Sequence, residues 1–165
     1  MWRSKKYPRL HWNLVSGDFR ESMESAAYPP DLIFFDPFSR RTNSEAWTLA
    51  TFRALHAACN DRDVEVFTYT ASTASRAAML AAGFHVAKGR ATDVKSESTI
   101  AFTAAALKQG TASRHALLGA GWLSRWKRSH ARLPADIPES MAAAFEDLIL
   151  KHPQFQLVPA AVTPV

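Results

Sequence analysis

Apolar and polar positions alternate along the chain in a pattern that predicts strands followed by helices. Short apolar runs predict strands at residues 11–16, 32–35, 64–70, 84–88 and 98–106. Apolar residues at helical spacing predict helices at residues 19–25, 45–59 and 72–82. Because helices that alternate with strands cover the faces of a parallel sheet, we predict an α/β fold with a mostly parallel sheet and an antiparallel last strand.

The stretch DLIFFDPFSRRTNSEAWT, residues 31–48, organises this pattern. Its apolar run at residues 32–35 predicts a strand buried on both faces. Asp36, Pro37 and Phe38 follow at the carboxyl end of that strand, the edge at which open α/β sheets bind ligands. Residues 42–45 have the spacing of a capping box, which predicts that the next helix starts there.

Asp36 has two interpretations from its position alone. It is either the turn residue that often precedes a proline or a carboxylate that faces the ligand-binding edge. Pro37 lacks an N–H group, so the turn offers carbonyl acceptors beside the carboxylate. Such acceptors suit a substrate with N–H donors, such as an amine. Asp18, after Gly17 at the end of an earlier predicted strand, is a second acidic residue of this kind or a helix N-cap.

The chain after residue 108 is predicted to be helical. We therefore divide the whole chain into an α/β domain at residues 1–108 and a helical extension with tail at 109–165. The last helix is predicted at residues 138–151, with its apolar side chains inward: Met141, Phe145, Leu148 and Ile149. The tail from residue 155 is predicted to be loose.

Two tryptophans and three arginines in this extension leave two interpretations open. Trp122 and Trp126 lie four residues apart, while Arg125, Arg128 and Arg132 share another helix face. The tryptophans are either packed beneath a solvated arginine face or anchors on a surface that binds RNA.

Composition narrows the classes of partner. The formal net charge of +5 and the pI of about 9.7 favour an anionic partner, nucleic acid first, although a basic protein with no such partner fits equally. The basic residues 1–9 are either a solvated end or an arm that contacts phosphates. A single cysteine, Cys59, excludes an internal disulfide and a cysteine-based zinc site, and we predict no metal. With no apolar run of spanning length and no leader, we expect a cytoplasmic protein without a membrane partner.

The central stretch resembles the signature of the MnmC-like methyltransferase domain. In that family a strand ends in Asp-(Pro or Gly)-Phe, and an Asn and a Trp follow before a helix. Four further segments resemble the family in the same order: HWNLVSGDFRES, VEVFTYTASTASRAAMLAAGFHVAKG, GRATDVKSESTIAFT and, as in some members, GWLSRWKRSHARLP. The resemblance covers residues 11–134.

This resemblance implies a Rossmann-like class I methyltransferase sheet and S-adenosylmethionine as cofactor. The implied reaction is N-methylation of the aminomethyl group on a tRNA wobble uridine, which gives 5-methylaminomethyl-2-thiouridine. Some members carry a flavin-dependent oxidase domain, but this chain has no dinucleotide fingerprint, so we predict no FAD.

The resemblance also implies residue roles. Asp36, Pro37 and Phe38 are expected to hold the substrate amine near the donor methyl group. Gly17 and Asp18 are expected near the adenine of the cofactor. Lys95, in the polar turn, is expected to meet RNA or to close the site. Apart from the resemblance, we also expect Tyr69, Arg125 and Arg128 to bind substrate.

The chain departs from the family at the cofactor site. Members of this fold bind the methionine and ribose portions with a glycine-rich loop after the first strand and an acidic residue that ends the second. Only a few residues precede the strand that matches the family's third, and no GxGxG-like loop occurs. Asp93 stands where glycine is expected. We therefore expect a domain truncated at its N-terminal side, with an incomplete cofactor site.

Three functions follow as hypotheses. The first is a tRNA-modifying N-methyltransferase homologue that retains its catalytic turn. The second is a non-catalytic module that binds RNA or another partner, and the third is an amino-methyltransferase for a different amine. The sequence leaves catalytic activity and oligomeric state open.

Overall fold

A computed structural model describes residues 2–3, 5–24, 26, 28–39, 41–91, 97–110 and 114–156. Its main sheet has four strands: β3 (Leu32–Phe34), β4 (Glu65–Thr68), β5 (His85–Gly89) and β6 (Ser98–Phe102). A separate antiparallel ribbon consists of β1 (Trp2–Arg3) and β2 (His11–Trp12). The predicted strand at residues 11–16 therefore ends at Trp12, and the next apolar side chains, Leu14 and Val15, are exposed.

The four strands of the main sheet lie in the order β3-β4-β6-β5. β3 pairs with β4 in parallel, whereas β6 is antiparallel to both β4 and β5. Three strands thus run in one direction and the last strand runs in the other. This arrangement confirms the predicted α/β fold with its antiparallel last strand.

The helices have the following bounds: α1 Phe19–Glu24, α2 Leu49–Ala58, α3 Thr73–Ala81, α4 Ala104–Lys108, α5 Ala120–Lys127, α6 Ala142–Leu150 and α7 Pro153–Gln156. Two short 3-10 helices, Ser44–Trp47 and Glu139–Met141, precede α2 and α6. The predicted last strand at residues 98–106 ends at Phe102, because the Thr103 hydroxyl caps α4.

The predicted capping box at residues 42–45 is wrong. The side chain of Asn43, not of Thr42, accepts a hydrogen bond from the Ala46 N–H at 3.3 Å and starts a 3-10 helix. The α-helix begins only after Thr48, whose hydroxyl accepts from the Thr51 N–H at 3.2 Å. The two starts arise because Asn43 and Thr48, five positions apart, both offer capping oxygens.

The hydrophobic core lies between the sheet and helices α2 and α3, and α5 and α6 contribute to the same cluster. Phe52 and Leu55 of α2 and Cys59 directly after it are buried, in agreement with the apolar spacing of the helix predicted at residues 45–59. Burial also raises the pKa of the Cys59 thiol to about 11, as expected for a small core residue.

The helical extension packs through tryptophans and one stripe of α6. Trp122 and Trp126 are buried and stack with ring centroids 6.2 Å apart, so they are packed side chains rather than RNA-facing anchors. Phe145 and Ile149 are buried as predicted. The prediction for Met141 and Leu148 is wrong, because these side chains lie outside that stripe and are exposed.

β3 differs from its prediction in the burial of its two faces. It forms an edge of the sheet, and only one of its faces is covered: Ile33 packs against the core, whereas Leu32 is 48% exposed and Phe34 75%. The predicted burial on both faces is therefore wrong. An apolar run alone does not distinguish a central strand from an edge strand whose second face is uncovered.

Candidate functional site

The turn Asp36-Pro37-Phe38 follows β3 and is held from two sides. The Tyr69 hydroxyl, just beyond β4, donates to the Pro37 carbonyl oxygen at 2.6 Å. The Trp47 indole N–H donates to the Phe38 carbonyl oxygen at 2.8 Å. The rings of Trp47 and Tyr69 pack edge to face, with centroids 5.8 Å apart. The conformation of the turn is therefore fixed by side chains from elsewhere in the chain.

Because of these hydrogen bonds, the acceptor that the turn presents to a ligand is the Asp36 carboxylate. Both carbonyl oxygens already accept one internal hydrogen bond, so Pro37 and Phe38 contribute first to the shape of the turn. The Asp36 carboxylate is exposed and has no ion-pair partner among the residues that the structure describes. It is the group of the turn that is ready to bind a ligand.

Asp36 lies at the rim of a shallow cavity of about 290 Å³. The lining residues are Phe34, Asp36, Phe67, Thr68, Tyr69, Ser98 and Thr99. Burial and the nearby Asp36 charge both raise the pKa of Tyr69, so its hydroxyl stays protonated and continues to donate. A carboxylate beside aromatic side chains suits a ligand that has an amine attached to a flat, partly apolar group.

A buried arginine supports the wall of this cavity. Arg76 on α3 is 1% exposed and donates from Nε to the Thr99 hydroxyl at 2.8 Å and from Nη2 to the Ser98 carbonyl at 2.8 Å. Its Nη1 donates to Glu97 at 3.0 Å. Burial alone would raise the pKa of Glu97, but the hydrogen bond and charge of Arg76 hold it below its ordinary value. Sequence reasoning missed Arg76, although an arginine at a core position of a helix is a signal for such a network.

Gly17 and Asp18 lie at a different cavity, of about 260 Å³. Gly17 has φ of +133°, a conformation that favours glycine, and Asp18 precedes α1. Both Asp18 oxygens bind Arg20: Oδ1 accepts from the backbone N–H at 2.9 Å and Oδ2 from Nη2 at 2.6 Å. These hydrogen bonds lower the pKa of Asp18 to about 2. Asp18 thus stays ionised, but its oxygens are already engaged.

The structure brings some of the predicted site residues together and separates others. Tyr69 shares a cavity with Asp36, whereas the Asp18 cavity has no lining residue in common with it. Arg125 lies beside Lys88 on a third cavity. Lys95 lies outside the described residues, as does Asp93, which stands where the family has glycine.

Arg128 belongs to a fourth, strongly basic cavity of about 500 Å³. Its lining includes Lys127, His130 and Arg132. Lys127 and Arg132 each pair with Glu146 at 3.7 Å, whereas Arg128 is exposed and has no such partner among the described residues. This surface is positive but has no exposed tryptophan beside it, because Trp126 is buried.

Within the described ranges, no group of three or more His, Cys, Asp or Glu side chains is placed to hold a metal ion. No helix in the same ranges is long and apolar enough to cross a membrane.

Comparison with known proteins identifies the class. The sequence model of an S-adenosyl-L-methionine-dependent methyltransferase family matches residues 4–104, so the chain belongs to that family. A crystal structure of MnmC2 from Aquifex aeolicus has the same fold, with a TM-score of 0.57 and 21% sequence identity over 81% of this chain. These findings confirm the predicted resemblance to an MnmC-like methyltransferase domain. No curated protein matches the chain significantly.

The chain spans 42% of the length of that solved structure. The family implies S-adenosylmethionine, and the described residues fit only one end of it. The Asp18 carboxylate suits the exocyclic amine of an adenine, but its cavity of about 260 Å³ is smaller than ordinary ligand pockets and shares no lining residue with the Asp36 cavity. The donor set for the remainder of the cofactor is not found among the described residues.

Proposed function

We propose that this chain carries the amine-binding turn of an S-adenosylmethionine-dependent N-methyltransferase. The proposed acceptor is the aminomethyl group of a tRNA wobble uridine. One observation carries the proposal: in a member of this family, an exposed carboxylate stands at the carboxyl end of β3 in a turn fixed by Tyr69 and Trp47. That geometry supports recognition of an N–H donor at the edge where α/β sheets bind ligands.

Asp36 has two tasks in this proposal. It accepts a hydrogen bond from the neutral acceptor amine and thereby directs the nitrogen lone pair toward the donor. S-adenosylmethionine supplies a methyl group on a sulfonium centre. As positive charge develops on the amine nitrogen, the Asp36 carboxylate stabilises the transition state more than the ground state. The aromatic side chains of Phe34 and Phe67, 5.8 Å apart between centroids, offer apolar contacts for the acceptor base.

The cofactor contacts are proposed only for Gly17 and Asp18. The carboxylate of Asp18 would accept from the adenine amine beside its hydrogen bonds with Arg20. Because the sequence has no glycine-rich loop for the remainder of the cofactor, we propose weak binding by the chain alone.

The proposed nucleic-acid partner rests on charge. The net charge of +5 and the exposed Arg125 and Arg128 support an electrostatic contact with tRNA phosphates. Both arginines lie on cavities other than that of Asp36, so they would bind RNA away from the reacting base.

A second candidate function is a non-catalytic module that binds RNA or a protein. The partial fit of the cofactor favours it. A methyltransferase for another amine is the third candidate, since the Asp36 turn recognises an N–H donor and not a particular base.

A methyl-transfer assay separates these candidates. The full chain is incubated with S-adenosylmethionine and each of three acceptors: tRNA with 5-aminomethyl-2-thiouridine, the same tRNA with unmodified uridine, and the free aminomethyl nucleoside. We expect transfer to the first alone or far above the others. Equal transfer to the free nucleoside would exclude tRNA recognition. No transfer at millimolar cofactor would exclude the wobble-uridine reaction and leave the non-catalytic module or a methyltransferase for another amine.

A further inference from the structure

Thr99 on β6 holds the backbone on both sides of Tyr69. Within the sheet, Thr99 is the register partner of Thr68, the last residue of β4. Beyond the end of that strand, the Thr99 hydroxyl donates to the Thr70 carbonyl oxygen at 2.5 Å. Tyr69 lies between these two points, and its own hydroxyl donates to the Pro37 carbonyl. Because Thr99 is 0% exposed, water does not compete for either contact.

Arg76 on α3 determines the direction in which the Thr99 hydroxyl donates. Its Nε donates to the Thr99 oxygen at 2.8 Å. A guanidinium group has no acceptor, so the single hydroxyl proton of Thr99 is left for the Thr70 carbonyl. A charged donor also polarises the hydroxyl and strengthens the hydrogen bond that it donates in turn. Arg76 therefore keeps Thr99 bonded to the segment that follows β4.

The remaining partners of Arg76 offset the cost of burying its charge. Its guanidinium donates to Glu97 at 3.0 Å and to the Ser98 carbonyl at 2.8 Å, so it binds three consecutive residues where the chain enters β6. A buried arginine without such partners would be strongly unfavourable. The Glu97 carboxylate also offsets a positive charge that would oppose the charge developing on an acceptor amine.

We propose that Arg76 and Thr99 are positioning residues for Asp36. They fix the backbone of Tyr69, and the Tyr69 hydroxyl fixes the Pro37 carbonyl beside the Asp36 carboxylate. The effect of these residues on methyl transfer rests on the proposed function, whereas their effect on the order of the turn does not.

Three variants separate positioning from packing. Thr99→Val keeps the shape of the side chain and removes the hydroxyl, whereas Thr99→Ser keeps the hydroxyl and removes a methyl group. If Thr99 only filled the core, serine would be the more harmful of the two, because it leaves a cavity. Thr103→Val is the matched control: Thr103, just beyond β6, is also buried, and its hydroxyl donates to the Arg62 carbonyl and accepts from the Val64 N–H.

Hydrogen exchange of two indole N–H groups, followed by NMR, measures the order of the turn. The Trp47 indole donates to the Phe38 carbonyl of the turn and its ring packs on Tyr69. The Trp126 indole donates to the Arg132 carbonyl in the helical extension, at 3.1 Å. Both tryptophans are buried. The ratio of the Trp47 rate to the Trp126 rate therefore separates loosening of the turn from unfolding of the whole chain.

We expect Thr99→Val to raise this exchange ratio about tenfold, the equivalent of one lost hydrogen bond. Thr99→Ser and Thr103→Val should keep the parental ratio. If Thr99→Val does not fold by circular dichroism, Arg76→Lys takes its place, because lysine keeps a cation beside Glu97 but lacks the rigid fork that binds Thr99 and Ser98. A parental ratio in the variant used, or an equal rise in Thr103→Val, would overturn the proposal.

Methyl transfer to tRNA with 5-aminomethyl-2-thiouridine tests what the positioning does for the reaction. Thr99→Val should lower kcat about tenfold or more and change KM little, because misalignment of Asp36 acts on the transition state. Adding Tyr69→Phe should slow it no further than the slower single variant, since both changes act on the same turn. A parental kcat in Thr99→Val, or losses that multiply in the double variant, would overturn the role in the reaction. If the parent chain transfers no methyl group, the proposed function fails, and the exchange ratio alone decides whether Arg76 and Thr99 position Asp36.

Discussion

Tyr69 and Pro37 are 32 positions apart in sequence, yet the hydroxyl of one donates to the carbonyl of the other at 2.6 Å. This bond joins the ends of the two parallel strands β3 and β4 at the edge of the sheet. Since proline offers no N–H, the Pro37 carbonyl is the hydrogen-bonding group by which that residue is anchored. The position of the neighbouring Asp36 carboxylate therefore depends on Tyr69.

Tyr69→Phe should loosen this turn without disturbing the core. It removes a hydrogen bond but keeps the ring that packs on Trp47, so we expect a loss of about 0.5–1.5 kcal/mol in the free energy of unfolding. Denaturant titration measures it, and Tyr28→Phe is the control, since Tyr28 is 84% exposed. Equal effects of the two variants would mean that the Tyr69 hydroxyl does not hold the turn.

Asp36→Ala should reduce methyl transfer by about a hundredfold or more, because one preorganised electrostatic contact with the developing charge is lost. Asp36→Asn keeps an acceptor but removes the charge, so its rate should lie between that of the parent chain and that of Asp36→Ala. The measurement is single-turnover methyl transfer to tRNA with an aminomethyl uridine.

Asp147→Ala is the matched control for the Asp36 variants. Asp147 is an exposed carboxylate of α6 whose single ion-pair partner among the described residues is Lys151, at 2.8 Å. Its variant should keep the parental rate. If Asp36→Ala kept a near-parental rate of methyl transfer, Asp36 would be only a turn residue before a proline.

Binding of S-adenosylmethionine to the chain alone should be weak. The motivation is the small Asp18 cavity, whose carboxylate is engaged by Arg20, and the absence of a glycine-rich loop from the sequence. Such a loop brings backbone N–H groups and a helix N-terminus close to the ligand. Isothermal titration calorimetry measures the affinity; tight one-to-one binding would contradict the expected incomplete site.

The sequence predicted the helices and strands better than it predicted which of their side chains are buried. Periodicity was sufficient for α2, because Phe52 and Leu55 recur at helical spacing regardless of what they contact. It failed for β3, because exposure of Phe34 depends on its place at the sheet edge, which is a property of the whole fold. The position of Asp36 at a strand end was likewise predictable.

The contacts that support Asp36 were not predictable in the same way. The bonds from Tyr69 and Trp47 to the turn join residues 32 and nine positions apart, and no local pattern encodes either. Asp136 illustrates the same limit: its carboxylate accepts from the Leu49 and Ala50 N–H groups at 2.9 and 3.0 Å and so caps α2 from the far end of the chain.

Acid should destabilise the protein through His85 and His152. Their rings are buried with centroids 5.0 Å apart, and His152 Nδ1 accepts from the Gln154 N–H at 3.2 Å, which requires a neutral ring. Burial first, and the nearby His85 second, lower the pKa of His152 from 6.5 to about 4. Burial and His56 lower the pKa of His85.

The direction in which pH changes the stability follows from these pKa shifts. Unfolded histidine takes up a proton as pH falls through 6.5, whereas folded His152 stays neutral until about pH 4. The contribution of neutral His152 to the free energy of unfolding is therefore fully present above pH 6.5 and is lost between pH 6.5 and 4. The loss from His152 is at most about 3 kcal/mol. Thermal unfolding from pH 7.5 to 4 measures it. His152→Asn should flatten the profile relative to the exposed control His130→Asn, and unchanged profiles would exclude His152 as the cause.

RNA affinity, if the proposed partner is correct, should be mainly electrostatic. Log affinity for tRNA should then fall steeply with log salt concentration, because phosphate contacts release counterions. Replacing Arg125 and Arg128 together by alanine should weaken binding and reduce the slope by about one for each lost phosphate contact. Lys151→Ala removes a charge that pairs with Asp147 on α6 and is the control. Fluorescence anisotropy between low and moderate salt gives both quantities. Three results would show that these arginines are not an RNA-binding surface. They are a flat salt dependence, no binding at low salt, and an unchanged slope in the double variant.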